Sequence, residues 1–220
     1  MTVDLRLNAI VDPERANGRS LIELTRMVVA GGATLIQLRD KHGSTRRMIE
    51  EARAIKAVLA GTGVPLVIND RVDVALVAAA DGVHVGQDDL QPEDARRLLG
   101  PKAIIGLSIK TVALAHAAPL DMLDYVGVGG VYATTSKDNP NAPIGVAGLR
   151  EIVAAFRARS HDFPICGIAG IDAGNAAPVI EAGADGVAVI SALSMNDDPA
   201  AAARALRGIV DRTLALRGAK

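Results

Sequence analysis

Eight short apolar runs, each followed by a segment with helical spacing, constrain the fold of this chain more than any other feature. The first is Ala9-Ile10-Val11, ending at Asp12, with a helix from about Ser20. The second, Thr34 to Arg39, leads to Ser44, which caps a helix whose Met48, Ile49, Ala52, Ile55 and Leu59 follow the helical period. Leu66-Val67-Ile68 and Gly82-Val83-His84-Val85 flank an Ala-rich helical segment, Val72 to Ala80, and Pro92 stands at the first position of the next helix. Ala103 to Leu107 precedes a helix from Thr111 to Ala117. Tyr125 to Val128 precedes a long loop, Gly129 to about Val146, and a helix from Leu149. Pro164 to Ile168 is followed by a helix capped by Asp172 and stopped by Gly183, and Gly186 to Ile190 by a last helix opened by Asp198-Pro199. Such an alternation, with no linker and no break in composition, predicts one (β/α)8 TIM barrel over residues 1–220. An open doubly wound sheet is the alternative, but it more often carries a Gly-rich turn after its first strand, where this chain has Val11-Asp12-Pro13.

Composition removes several function classes. A formal charge of -1, two Phe, two Tyr and no Trp leave little with which to grip or stack nucleic acid. The single cysteine, Cys166, excludes an internal disulfide and suits a reducing cytosol. The opening MTVDLRL lacks a basic segment followed by an apolar core, and no apolar run approaches the ~18 residues of a membrane span. The expectation is a cytoplasmic protein without a membrane partner; a homo-oligomer stays open.

Function must come from the strand ends, the rim where barrels of this kind bind ligands. Asp70 and Asp89 each follow a neighbouring strand, which places both carboxylates on one rim, suited to a hard divalent cation. Either aspartate alone would more often cap the next helix. Along the second strand, Gln37 and Arg39 face one side and Leu38 the other, so an amide and a guanidinium face the barrel mouth, with Asp40 and Lys41 in the loop beyond. A lone Arg there would commonly be a rim salt bridge. Beside two metal-binding carboxylates, Arg39 and Lys41 are what a Mg²⁺-diphosphate requires. Ser108 either hydrogen-bonds a ligand or caps a helix, and Lys110 reads as a solvated lysine. The loop Thr134-Thr135-Ser136-Lys137 offers three hydroxyls and a cation to an oxyanion. A Schiff-base role for Lys137 fits poorly, because such a lysine is usually desolvated among apolar groups. Gly167 to Ile171 and Ile190-Ser191-Ala192 match the phosphate site common in barrels, where small residues let backbone N–H groups approach an anion. Two anion sites, one of them with metal carboxylates, imply two phosphorylated ligands. His84, flanked by valines, reads as structural.

These residues resemble the thiamine-phosphate synthase family over essentially the whole chain. The signs are QLRDK (Gln37-Leu38-Arg39-Asp40-Lys41), Asn69-Asp70, GVHVGQDD ending at Asp89, TTSK at Thr134 to Lys137, GIAGI with Gly170, and AVIS ending at Ile190-Ser191. The resemblance implies that Asp70 and Asp89 hold Mg²⁺, the expected cofactor. It places the aminopyrimidine diphosphate on the QLRDK stretch with Asn69, Ser108 and Lys137, and the thiazole phosphate on Thr134, Thr135, Ser136, Gly170, Ile190 and Ser191. Arg39, Lys41, Lys137 and Ser108 take the catalytic roles. The implied reaction joins the thiazole nitrogen to the pyrimidine methylene carbon as diphosphate departs first, leaving a stabilised pyrimidine cation. Departures from the family pattern are Asn8, where many members carry an aromatic, and Ala133, Ser136 and Ala169, where Pro, Thr and Gly are frequent. Two other readings stay open: a thiazole tautomerase, whose relatives tend to lose the diphosphate-binding cations, and a non-catalytic sensor of a phosphorylated metabolite.

Overall fold

The computed structural model describes residues 3–136 and 142–219. Strands β1 (Leu7–Val11), β2 (Leu35–Leu38), β3 (Leu66–Asn69), β4 (Gly82–Val85), β5 (Ile104–Ile109), β6 (Tyr125–Gly129), β7 (Ile165–Ile168) and β8 (Gly186–Val189) pair in sequence order, and β8 returns to β1 to close a parallel barrel. The helices are α1 (Leu21–Ala30), α2 (Thr45–Leu59), α3 (Val72–Ala78), α4 (Pro92–Leu99), α5 (Val112–Ala117), α6 (Gly145–Arg159), α7 (Ala176–Glu181), α8 (Ser191–Ser194) and α9 (Pro199–Gly218). This is the expected (β/α)8 architecture. Among the described residues no helix is long and apolar enough to cross a membrane.

Several start signals act as the sequence implies. The Ser20 and Ser44 side chains accept from the N–H groups of Glu23 and Arg47, Pro92 opens α4, and Asp198 accepts from Ala200 and Ala201. Other details differ. Asp172 does not cap α7: its carboxylate accepts from Gly174 in a tight turn, and the helix begins only after Asn175. Helix α6 starts at Gly145, and β5 runs on through Ile109, so Ser108 lies on the strand itself. Helix α8 was not expected at all, because four residues carry no readable period.

Alternation along each strand divides the apolar side chains into two sets. Ile10, Leu35, Val67, Tyr125, Cys166, Ala188 and Ile190 pack inside the barrel, while Ile36, Leu38, Ile68, Val85 and Val128 pack outward against the helices. The strand register, raised by one residue per strand as a barrel of this shear requires, stacks the inward side chains in layers of four. Asn8, Val67, Gly106 and Cys166 form one layer. Gln37, His84, Gly127 and Ala188 lie above it, and Ile10, Asn69, Ser108 and Ile168 lie above those, nearest the C-terminal mouth.

The opposite rim is tied by a repeated device. The residue that leads into each even-numbered strand accepts a hydrogen bond from an N–H at the start of the odd-numbered strand before it. Thr34 accepts from Leu7 at 3.0 Å, Asp81 from Leu66 at 2.8 Å, Asp124 from Ile105 at 2.8 Å and Asp185 from Ile165 at 3.0 Å. Lys56, Arg96 and Arg157 reach from α2, α4 and α6 to the three aspartates.

Candidate active site

The C-terminal ends of β1 to β4 gather opposite charges. Arg39, just past β2, donates from Nη1 to Asp12, whose carboxylate is only 1% exposed. Lys41 donates to Asp70, and Asp70 stands against Asp89. Asp70 has φ 64°, a left-handed conformation that costs a non-glycine residue roughly 1–3 kcal/mol and turns the chain sharply at the end of β3. Asp89 accepts from the Gly86 N–H at 2.7 Å. Burial raises the Asp89 carboxyl above its ordinary value; the Gly86 amide pulls it down, and the facing Asp70 pushes it up again. Two carboxylates forced together in this way fit a divalent cation. Among the described residues no group of three or more His, Cys, Asp or Glu could hold a metal, so any cation here would rest on this pair and complete its shell with water or ligand oxygens.

Beneath this rim, His84 lies between two partners from other strands. Its Nδ1 is 2.9 Å from the Tyr125 hydroxyl and its Nε2 is 2.9 Å from Ser108 Oγ. Room for the pair exists because β5 carries glycine at 106: a Cβ there would lie 2.2 Å from Tyr125 Cζ and 2.5 Å from His84 Nδ1. Gly106→Ala should therefore lower stability by about 2 kcal/mol, through overpacking against two rings. Denaturant unfolding checks this, and an unchanged midpoint would contradict the packing.

The ends of β6, β7 and β8 enclose a cavity of about 1020 Å³. Thr134, Thr135, Ser136, Gly170, Ile190 and Ser191 all line it. Ser136 Oγ bonds Ser191 Oγ at 3.0 Å, and Arg15 holds the Thr135 carbonyl at 2.6 Å. The β6 loop is tied to the β7 loop by Val131 N–H to Ile168 O at 2.9 Å and Tyr132 N–H to Ala169 O at 3.1 Å. Gly170 is required here, since a Cβ would meet the Ala133 carbonyl at 2.3 Å. Ala169 takes φ 81°, a left-handed position held without glycine.

The remaining expected residues fall in different places. Gln37, 2% exposed, points into the barrel with His84, and Asn69 ends β3 in the Ser108 layer. Leu38 turns outward into the core beneath the helices, so only its main chain faces the rim. The Asp40 carboxylate folds back on its own loop, accepting from His42 at 3.0 Å and Gly43 at 2.7 Å. Lys137 lies outside the described residues. Sequence reasoning missed Asp12 as the partner of Arg39 and Tyr125 as the partner of His84. The available signals were an acid at the end of β1, next to β2, and a tyrosine within an otherwise apolar run.

A closed parallel barrel with a carboxylate pair, cations and a small-residue cavity on one rim has the layout of a barrel enzyme suited to phosphorylated ligands. Residues 7–193 match the family model described as thiamine monophosphate synthase. The chain is 51% identical over 215 residues to the thiamine-phosphate synthase of Agrobacterium fabrum, covering 98% of each chain. It is 49% identical over 212 residues to that of Chloroflexus aurantiacus, covering 96% of this chain and 95% of the relative. The solved thiamine phosphate pyrophosphorylase of Pyrococcus furiosus superposes with a TM-score of 0.83 at 36% identity, over 96% of this chain and 98% of that one. The chain belongs to the thiamine monophosphate synthase family, and it is a transferase.

Proposed function

We propose that this enzyme condenses an aminopyrimidine methyl diphosphate with a thiazole phosphate, releasing diphosphate and forming thiamine phosphate, with Mg²⁺ as cofactor. The observation that carries the reading is that Lys41 meets Asp70 beside Asp89, and Arg39 meets Asp12, at strand ends on the rim that also bears the β6–β8 cavity. Asp70 and Asp89 would hold the Mg²⁺, which when bound neutralises charge on diphosphate oxygens. Lys41 and the remaining arm of Arg39 bind the same leaving group, and the hydroxyls of Thr134, Thr135, Ser136 and Ser191 with the Gly170 backbone hold the thiazole phosphate. No nucleophile or strong base is needed: the barrel aligns the two reactants and keeps water from a cationic carbon. The buried thiol of Cys166 agrees with a reducing compartment.

The test is to supply both reactants with and without Mg²⁺ and to measure thiamine phosphate and diphosphate. Formation of both products, lost in a chelator, is expected. Isomerisation of the thiazole phosphate alone would indicate the tautomerase reading, and binding without turnover the sensor.

A further inference from the structure

We propose that Tyr125 and His84 are positioning residues that fix Ser108 as a hydrogen-bond donor toward the substrate. The inference rests on reading the mouth as the site of the pyrimidine reactant, and it goes beyond it by assigning the direction of the Tyr125–His84 and His84–Ser108 hydrogen bonds. Tyr125 is 0% exposed, and burial pushes its phenol well above the ordinary tyrosine range, so the hydroxyl keeps its proton. A buried O–H that donates to nothing is costly. Asn8 Oδ1, in the layer between Tyr125 and His84, receives no donor, so the phenol does not spend its proton there. The phenol oxygen lies 2.9 Å from His84 Nδ1.

Donation to Nδ1 requires that nitrogen to be unprotonated. The ring is then neutral and carries its hydrogen on Nε2, which stands 2.9 Å from Ser108 Oγ. With Ser108 Oγ accepting from below, its own hydrogen is directed away, toward the mouth, where it meets an acceptor atom on the bound ring. The reverse polarity, or an imidazolium, would place a hydrogen on Nδ1 and leave the phenol O–H without an acceptor among the described residues. Glycines keep the path open: Gly106 leaves room for Tyr125 to pass, and a Cβ at Gly127 would press to 3.1 Å from His84 Cε1.

Two measurements test this. In ¹⁵N spectra of the intact enzyme, His84 should show Nδ1 unprotonated and Nε2 protonated, and Tyr125→Phe should mix the tautomers; a protonated Nδ1 in the wild type overturns the proposal. In turnover, Tyr125→Phe should lower kcat/KM about tenfold, yet add less than about twofold to the loss in a Ser108→Ala background, because the relay acts only through that hydroxyl. Multiplying losses would show a merely structural role and overturn it. Should the wild type form no thiamine phosphate, the proposed function fails while the tautomer spectrum still decides the relay.

Discussion

Asp89→Asn is expected to cut thiamine phosphate formation about a thousandfold at saturating Mg²⁺ while leaving the barrel folded. The amide keeps an oxygen for the Gly86 N–H, so the local turn survives. What it loses is the charge that, with Asp70, would hold the metal against the leaving group. A second readout follows from the sign of the pKa shift. The Asp89 carboxyl sits above its ordinary value, so ionising it in the metal-free fold costs stability, and that cost appears as pH rises past the ordinary carboxylate range. Without metal the variant should therefore be at least as stable as the wild type. Thermal unfolding should show Mg²⁺ stabilising the wild type and not the variant. Turnover equal to the wild type would remove Asp89 from the mechanism.

Arg39 carries the other large effect. Its guanidinium is committed through Nη1 to Asp12, which would leave the rest of the fork for the proposed diphosphate. Arg39→Lys should lower kcat/KM about a hundredfold, since one ammonium cannot serve both partners with the same geometry. Arg39→Met should also destabilise the protein by about 3–5 kcal/mol, because it strands a buried carboxylate. Adding Asp12→Asn should recover most of the stability and none of the activity. Recovery of both would show that Arg39 serves the fold alone.

Much of this was legible in the sequence. Parallel strands buried on both faces appear as short apolar runs, and Ser20, Ser44, Pro92 and Asp198 announced their helices because capping is a local matter. Asp172 misled because a tight turn uses the same side chain as a cap. The charged strand ends stood out against apolar strands, which is why Arg39, Lys41, Asp70 and Asp89 could be singled out. The contacts that orient them could not. Arg39 with Asp12, and His84 with Tyr125 and Ser108, join different strands, and only closure of the barrel sets their distances.

The quartet of Thr34, Asp81, Asp124 and Asp185 fastens the strands at the end opposite the candidate site. Because the staves are clasped at their base, upper-loop positions without a close contact such as that of Gly170 can change residue without loosening the cask. An alanine can occupy the left-handed position 169, and another can stand at 133, while the strand ends keep their places.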